Sequence, residues 1–566
     1  VRFYKESIIK IILAIALIFS IFVCGYTVIN YNNTNNQNAG FGMNYRGGSQ
    51  GGGNMGNPPN ALQEGGNSNQ NFGQNDKSSD NNQVDGSGSS SNSTNDSSMQ
   101  SSSDSSMQNN PQGQERPNGN FMRMGQNSEG TGYSKYLYAY AGVFICVAIG
   151  FYCYLIRKKA LINPKNEKIL ILSFLGIGLL LRITLALLIY GHNDMNIFKG
   201  WAQSVSSSLT NFYTNTRMSD YPPLYMYVLY VIGNLAKITV LNKYYVLLLK
   251  LPSIIADVIS SYLIFRVSKK YISSEIGLIV SIIYLFNPAV FINSTVWGQV
   301  DSLFALIIVI ALYLLSENKL VMSSLVFTAA VLMKPQGIIF LPVLFFELVR
   351  QKKIRNFAVS LVVAIVTALI IITPFTSGRD ITWIFKLYSS TVSEYPYATV
   401  SAFNFFYLMG ANYVKDSSTF LFMNYHTWGM LFIVLTTLLS WYIYYKGRES
   451  KYVFVAALIQ IAGVFTFSVG MHERYLFPAI ILSIFAFIQF RDKRMLLIAL
   501  GYSITVYLNT HLILFNFLGG NERRGGSEPL GIFVSMLNIV LFVYVIKVMF
   551  GKFRKKSKGS FISTEN

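Results

Sequence analysis

Apolar runs of roughly 20 residues, the length a helix needs to cross a bilayer, recur along most of the chain between short polar breaks. The first, residues 8–28, follows Arg2, Lys5 and Lys10. No convincing small-residue cleavage site follows it, so residues 1–29 are predicted to form an uncleaved signal anchor with its N-terminus inside the cell. Residues 30–134 are rich in Asn, Ser, Gly and Gln with few large apolar side chains. Such a segment cannot bury enough surface to offset its ordering entropy and is predicted to be a disordered extracytoplasmic loop. Further spans are expected at 136–156, 169–190, 245–265, 276–292, 302–315, 320–333, 338–349, 357–374, 428–445, 453–469, 475–490, 495–515 and 531–550. That makes about fourteen crossings, a multi-spanning unit over 135–551 and a basic cytoplasmic tail at 552–566.

Residues 224–240 are apolar but short and interrupted. Counted as a crossing, they would place Arg266, Lys269 and Lys270 outside, against the rule that basic loops stay in the cytoplasm. They are therefore expected to form a juxtamembrane or re-entrant helix on the outer side. The fold class is an all-α polytopic membrane bundle with long extracytoplasmic loops.

Composition agrees. Half the residues are hydrophobic (51%) and only 13% are charged, against about 25% in soluble domains. The net charge of +20 would suit nucleic acid, but its placement argues otherwise. The basic residues cluster at span ends, as in Arg157-Lys158-Lys159, Lys352-Lys353 and Arg554-Lys555-Lys556, so no nucleic-acid partner is expected. Cys24, Cys146 and Cys153 lie within apolar spans, where thiols are usually inert packing.

The polar residues gather at one face. After the third span comes GHNDMNIFKGWAQSVSSSLTNFYTNTRMSDYPPLY, residues 191–225, about thirty-five residues where most connections run 4–6. It carries Asp194 and Trp201, then Asp220, Tyr221 and a double proline. On the predicted topology three more patches share its face: Gln299 with Asp301, Lys334 with Gln336, and His472-Glu473-Arg474. Together they predict an outward-facing cavity. A carboxylate there can act as general base toward a hydroxyl. Lysine, arginine and histidine can bind a phosphate and stabilise it as it departs. Within the spans, Asp257 is expected to face a protein interior, and Arg182 to snorkel or face a polar cavity.

These residues carry a resemblance. The spacing from Asp194 to Trp201, the DYPPL at Asp220, the Asn287-Pro288 of LFNP, the lysine of LMKPQ and the histidine of MHERY resemble the GT-C glycosyltransferases. The order is closest to the dolichyl-phosphate-glucose-dependent glucosyltransferases, with related patterns in GPI-anchor and protein O-mannosyltransferases. The resemblance covers residues 169–490. It implies inverting transfer of a hexose, mannose or glucose with mannose favoured, from a polyprenyl-phosphate donor at the outer face of the plasma membrane. It implies Asp194 as general base, and Lys334, His472 and Arg474 at the donor phosphate. Trp201, Asp220, Tyr221, Gln299, Asp301, Gln336 and Glu473 would bind or shape the substrates. Some relatives bind a divalent metal at acidic positions matching Asp220 and Asp301, so metal use is left open. Where the protein O-mannosyltransferase branch has an Asp-Glu pair, this chain has Asn193-Asp194, which argues against that branch and leaves the acceptor open. The competing reading is a transporter or flippase with Arg182 and Asp257 along its path, which would call for internal repeats; none is visible in the sequence.

Overall fold

A computed structural model describes residues 2–31, 133–157, 167–216, 219–380, 382–518 and 528–562. The segment expected to be disordered, 30–134, lies almost wholly outside these residues, as does part of the basic tail.

Helices α1 (Arg2–Ile29), α2 (Ser134–Arg157) and α3 (Glu167–Leu188) lead to the long polar loop, which folds into α4 (Asp194–Ser207) and α5 (Pro223–Ala236). These two helices pack on each other, as expected of a juxtamembrane pair. There follow α6 (Tyr245–Tyr271), α7 (Ser274–Leu285), α8 (Asp301–Ser316), α9 (Leu320–Met333), α10 (Leu341–Gln351) and α11 (Ile354–Ile372). A second long loop carries α12 (Trp383–Ser393) and an antiparallel pair, Thr419–Phe420 with Met423–Asn424. Helices α13 (Tyr425–Gly447), α14 (Val453–Phe467), α15 (Pro478–Phe490), α16 (Arg494–Leu518) and α17 (Pro529–Ile562) complete the chain. The protein is an all-α polytopic membrane protein.

A helix stands at each expected crossing, but the crossings are unequal. Among the described residues nine helices are long and apolar enough to span alone, and a tenth span forms if α7 is joined across a 46° bend to Pro288–Trp297. Helices α8, α9 and α15 have only 16, 14 and 13 residues. At 1.5 Å per residue they reach about 24, 21 and 20 Å, short of a hydrocarbon core of roughly 30 Å. The missing length is irregular backbone, at 293–300, 334–340 and 468–477, and all three segments meet at one end of the bundle. Non-helical backbone is tolerated at such depth where protein encloses it. The enclosure is real: α14 and α15 are buried on nearly every side, whereas α11 buries only Ser360 and turns its apolar faces outward. The bend before the second segment has a cap: Asn287 Oδ1 accepts from the Ala289 N–H at 2.9 Å and its Nδ2 donates to Ser503 Oγ at 2.7 Å.

Arg182 and Asp257, two of the charges within the spans, close on each other. Arg182 Nε lies 3.2 Å from Asp257 Oδ2, with both side chains fully buried. Arg182 also donates to the carbonyl of Leu285 at 2.5 Å, and Ser294 Oγ donates to Asp257 at 2.6 Å. Arg182 therefore neither snorkels nor lines a passage; it clasps α3, α6 and α7 together. At the opposite end from the irregular segments, Lys270 pairs with Glu317 at 2.7 Å and Arg350 with Glu347 at 2.6 Å.

Candidate active site

The site is built on an under-wound turn. Residues Ile292–Trp297 form a π-helix that ends at Gly298, in the left-handed region at φ 87°. A Cβ on Gly298 would sit 2.6 Å from the sulfur of Met195. On the other side Gly191, at φ 106°, lets the chain leaving α3 press onto the same turn, where a Cβ would lie 2.9 Å from the carbonyl oxygens of Val296 and Trp297. Any larger residue would separate the two segments. Lys250 of α6 pins them as well. Its buried Nζ donates to the carbonyl of Ile189 at 2.6 Å and of Thr295 at 2.9 Å.

Asp194 is the first residue of α4, where the helix dipole favours an anion. Its Oδ2 accepts from Trp297 Nε1 at 3.1 Å and from Gln299 Nε2. Its Oδ1 lies 3.0 Å from His192 Nδ1, and the carboxylate keeps 22% of its surface exposed. Burial pushes the carboxyl up. The hydrogen bond and charge of His192, the Arg474 charge and the Trp297 N–H outweigh that and hold it below the usual carboxylate range. Asp194 is a partly open anion held by His192, the Trp297 indole and the Gln299 amide.

Asp301 begins α8 and is buried. It bonds Lys334 Nζ and accepts from Asn293 Nδ2 at 3.0 Å, with Arg474 Nε at 3.7 Å. Arg474 also bonds Glu473 and lies 5.6 Å over the Trp297 ring. Lys334 stands 5.9 Å over Tyr221 and 5.3 Å over Tyr475. Burial lowers the Lys334 ammonium against the pull of Asp301. Burial also opposes the charge of Arg474, but Glu473, Asp194 and Asp301 hold the guanidinium protonated.

His472 differs from expectation. Burial, with the charges of Arg474 and Lys334, pulls its imidazole down to about 3, so it is neutral and offers a phosphate a hydrogen bond rather than a charge. Its Nε2 is buried with no hydrogen-bond partner among the described residues. The ring stands edge-on to Tyr395 at 4.5 Å. The loop bearing Tyr395 is held there by main chain, Val400 N–H donating to the Met471 carbonyl at 3.0 Å.

The predicted residues thus meet, with differences of rank. Asp220 is raised by burial, while Arg474 and Lys334 pull it back and the Asp194 charge adds to the rise. Trp201 packs against Tyr221, ring centroids 5.6 Å apart. Gln336 lies in the turn after Lys334 with Oε1 buried and unbonded among the described residues, and no contact ties it to the carboxylates. Among the described residues no three His, Cys, Asp or Glu side chains gather as a metal group; Asp301 is satisfied by Lys334 and Asn293 instead.

Sequence reasoning missed His192, Trp297, Asn293 and Lys250. His192 was legible as a second titratable group two residues before Asp194. Trp297 and Asn293 sit in the same NSTVWGQVD that supplied Gln299 and Asp301. Lys250 gave no signal beyond being a charge in an apolar run.

Residues 220–377 match the family model of dolichyl-phosphate-mannose-protein mannosyltransferase. No curated protein matches the chain. The matched segment holds Asp220, Gln299, Asp301 and Lys334 and leaves out Asp194 and His472 to Arg474. The match fits the GT-C resemblance and indicates a membrane glycosyltransferase. It names the mannosyltransferase branch against which Asn193-Asp194 had argued, and that pair lies outside the matched residues.

Proposed function

We propose that the protein transfers a hexose, mannose in the first instance, from a polyprenyl phosphate to an acceptor hydroxyl at the extracytoplasmic face of the plasma membrane. The observation that carries the reading is Asp194: an ionised, partly exposed carboxylate that feels the Arg474 charge, with Lys334 on the neighbouring Asp301. The acceptor oxygen attacks the anomeric carbon as the bond from that carbon to the phosphate oxygen breaks, and the configuration inverts. The acceptor proton passes to Asp194. A carboxylate with a low pKa is a weak base, but the hydroxyl becomes strongly acidic once its oxygen is bonding to an oxocarbenium-like centre, so a late transfer runs downhill. The departing phosphate keeps the bridging oxygen and its electron pair. Arg474 and Lys334 would meet it with charge by loosening from Glu473 and Asp301, and His472 with its free Nε2. The basic loops at the opposite end of the bundle support an extracytoplasmic site.

The test uses membranes containing the full chain and donor labelled in the sugar, as mannosyl- and glucosyl-phosphoryl-polyprenol in separate arms, with and without chelator. Released polyprenyl phosphate and label in a non-lipid product are expected, with mannose preferred. Intact donor that crosses the bilayer with no polyprenyl phosphate released would replace this reading with a flippase.

A further inference from the structure

A cavity of about 580 Å³ lies between the loop that follows α4 and the start of α12, within the range of 300–1,000 Å³ typical of ligand pockets. Its walls include Tyr213, Ser219, Arg379, Asp380, Trp383 and Lys386. The guanidinium carbon of Arg379 lies 5.7 Å over the Tyr213 ring and 5.3 Å over the Trp383 ring. Three polar atoms here, Arg379 Nε, Trp383 Nε1 and Ser219 Oγ, are buried without a hydrogen-bond partner among the described residues. Asp380 is already committed: it accepts from the Thr382 N–H at 3.0 Å and hydroxyl at 2.8 Å and from Lys386 Nζ at 2.5 Å. Lys386 takes up most of the Asp380 charge, which leaves Arg379, set between the Tyr213 and Trp383 rings, as a cation with no direct ion pair among the described residues.

The cavity backs onto the site. Tyr213 OH donates to the Tyr221 carbonyl at 2.7 Å, Thr391 Oγ1 donates to the Asp220 carbonyl at 3.1 Å, and Ser219 precedes Asp220. The Tyr221 ring meanwhile faces Lys334. The segment 219–221 therefore has the Lys334 and Arg474 cations on one flank and this cavity on the other.

We infer that the cavity is an acceptor subsite for a hydroxyl-rich ligand bearing a negative charge, a glycan with a carboxylate or phosphate. Aromatic rings suit the apolar face of a sugar, hydroxyls and the indole N–H suit its oxygens, and Arg379 suits the acid. The donor phosphate has its own cations across Tyr221, so the cavity is free for the acceptor. The assignment as acceptor subsite rests on the transferase reading, but binding can be measured without it.

The test titrates the full chain in detergent with methyl glucuronide and with methyl glucoside, following tryptophan emission. The glucuronide is expected to bind at least tenfold more tightly at low salt. Arg379→Gln should abolish that preference at an unchanged melting temperature, and Lys386→Gln, which frees the Asp380 charge, should weaken it. Trp383→Phe should remove the emission change. Equal binding of the two glycosides, or an unaltered preference in Arg379→Gln, would overturn the inference. So would tighter binding of an acidic serine peptide. Asp194→Asn should bind as wild type does. A wild-type chain that binds the glucuronide but releases no polyprenyl phosphate from the donor would fail the transferase reading alone; a wild-type chain that turns the donor over but shows no charge preference would fail this inference alone.

Discussion

Asp257 and Asp194 lean on the same turn from opposite sides. Asp257 takes the Ser294 hydroxyl and the Arg182 guanidinium and is sealed. Asp194 takes the Trp297 indole and the Gln299 amide, lies 3.0 Å from His192 Nδ1, and stays partly open. One π-turn thus serves two carboxylates of opposite character. A sealed, charge-paired carboxylate within a span is architecture; one left partly open to solvent can still take a proton. Their places in the chain, one within a span and one where a span ends, already set them apart, and their partners give the reason.

The comparison breaks most visibly on the sealed side. Asp257→Leu alone leaves the Arg182 charge buried and unpaired, which should cost about 3–5 kcal/mol. The double variant Arg182→Met with Asp257→Leu should recover most of that stability, because replacing both partners of a buried pair by apolar groups is often neutral. Thermal unfolding in detergent checks both, and a double variant as unstable as the single would show that the pair does more than clasp helices.

The next effect lies between the two carboxylates. Lys250→Met leaves the Ile189 and Thr295 carbonyls without their buried donor, a loss of about 1–3 kcal/mol. The slack should reach Trp297 and Gln299, so turnover per folded molecule should drop about tenfold, as small misplacements of reacting groups do. Unchanged turnover at the lower stability would separate Lys250 from the site.

The smallest effect is a shift rather than a loss. His192 is the foremost influence lowering the Asp194 carboxyl. A depressed pKa keeps Asp194 ionised as pH falls, so the acid limb of kcat/KM should lie below the ordinary carboxylate range. His192→Leu removes that support, and the limb should move to higher pH while turnover at pH 8 changes little. A pH–rate profile with an unmoved limb would detach Asp194 from the titrating step.

Much of this was legible in the chain. The apolar period marked the helices, and the positive-inside rule set 224–240 aside from the crossings, where the structure has α5 lying on α4. The face shared by Asp194, Asp301, Lys334 and Arg474 followed from topology alone. The rest depends on contacts made across long sequence distances. Nothing in the sequence showed that Lys334 is already bonded to Asp301, or that Arg474 and Lys334 keep His472 neutral, since those are consequences of burial. The short lengths of α8 and α9 were visible in the apolar runs 302–315 and 320–333, but periodicity could not show that Ile292–Trp297, apolar at Val296 and Trp297, winds as a π-turn.

The most direct test of the central claim replaces the open carboxylate alone. Donor turnover per folded molecule should be measured for the wild type and Asp194→Asn, with labelled mannosyl-phosphoryl-polyprenol in membranes and the melting temperature taken in parallel. A fall of about 10²–10⁴, the usual worth of a general base, at an unchanged melting temperature is the predicted result. Turnover within twofold of wild type would contradict it.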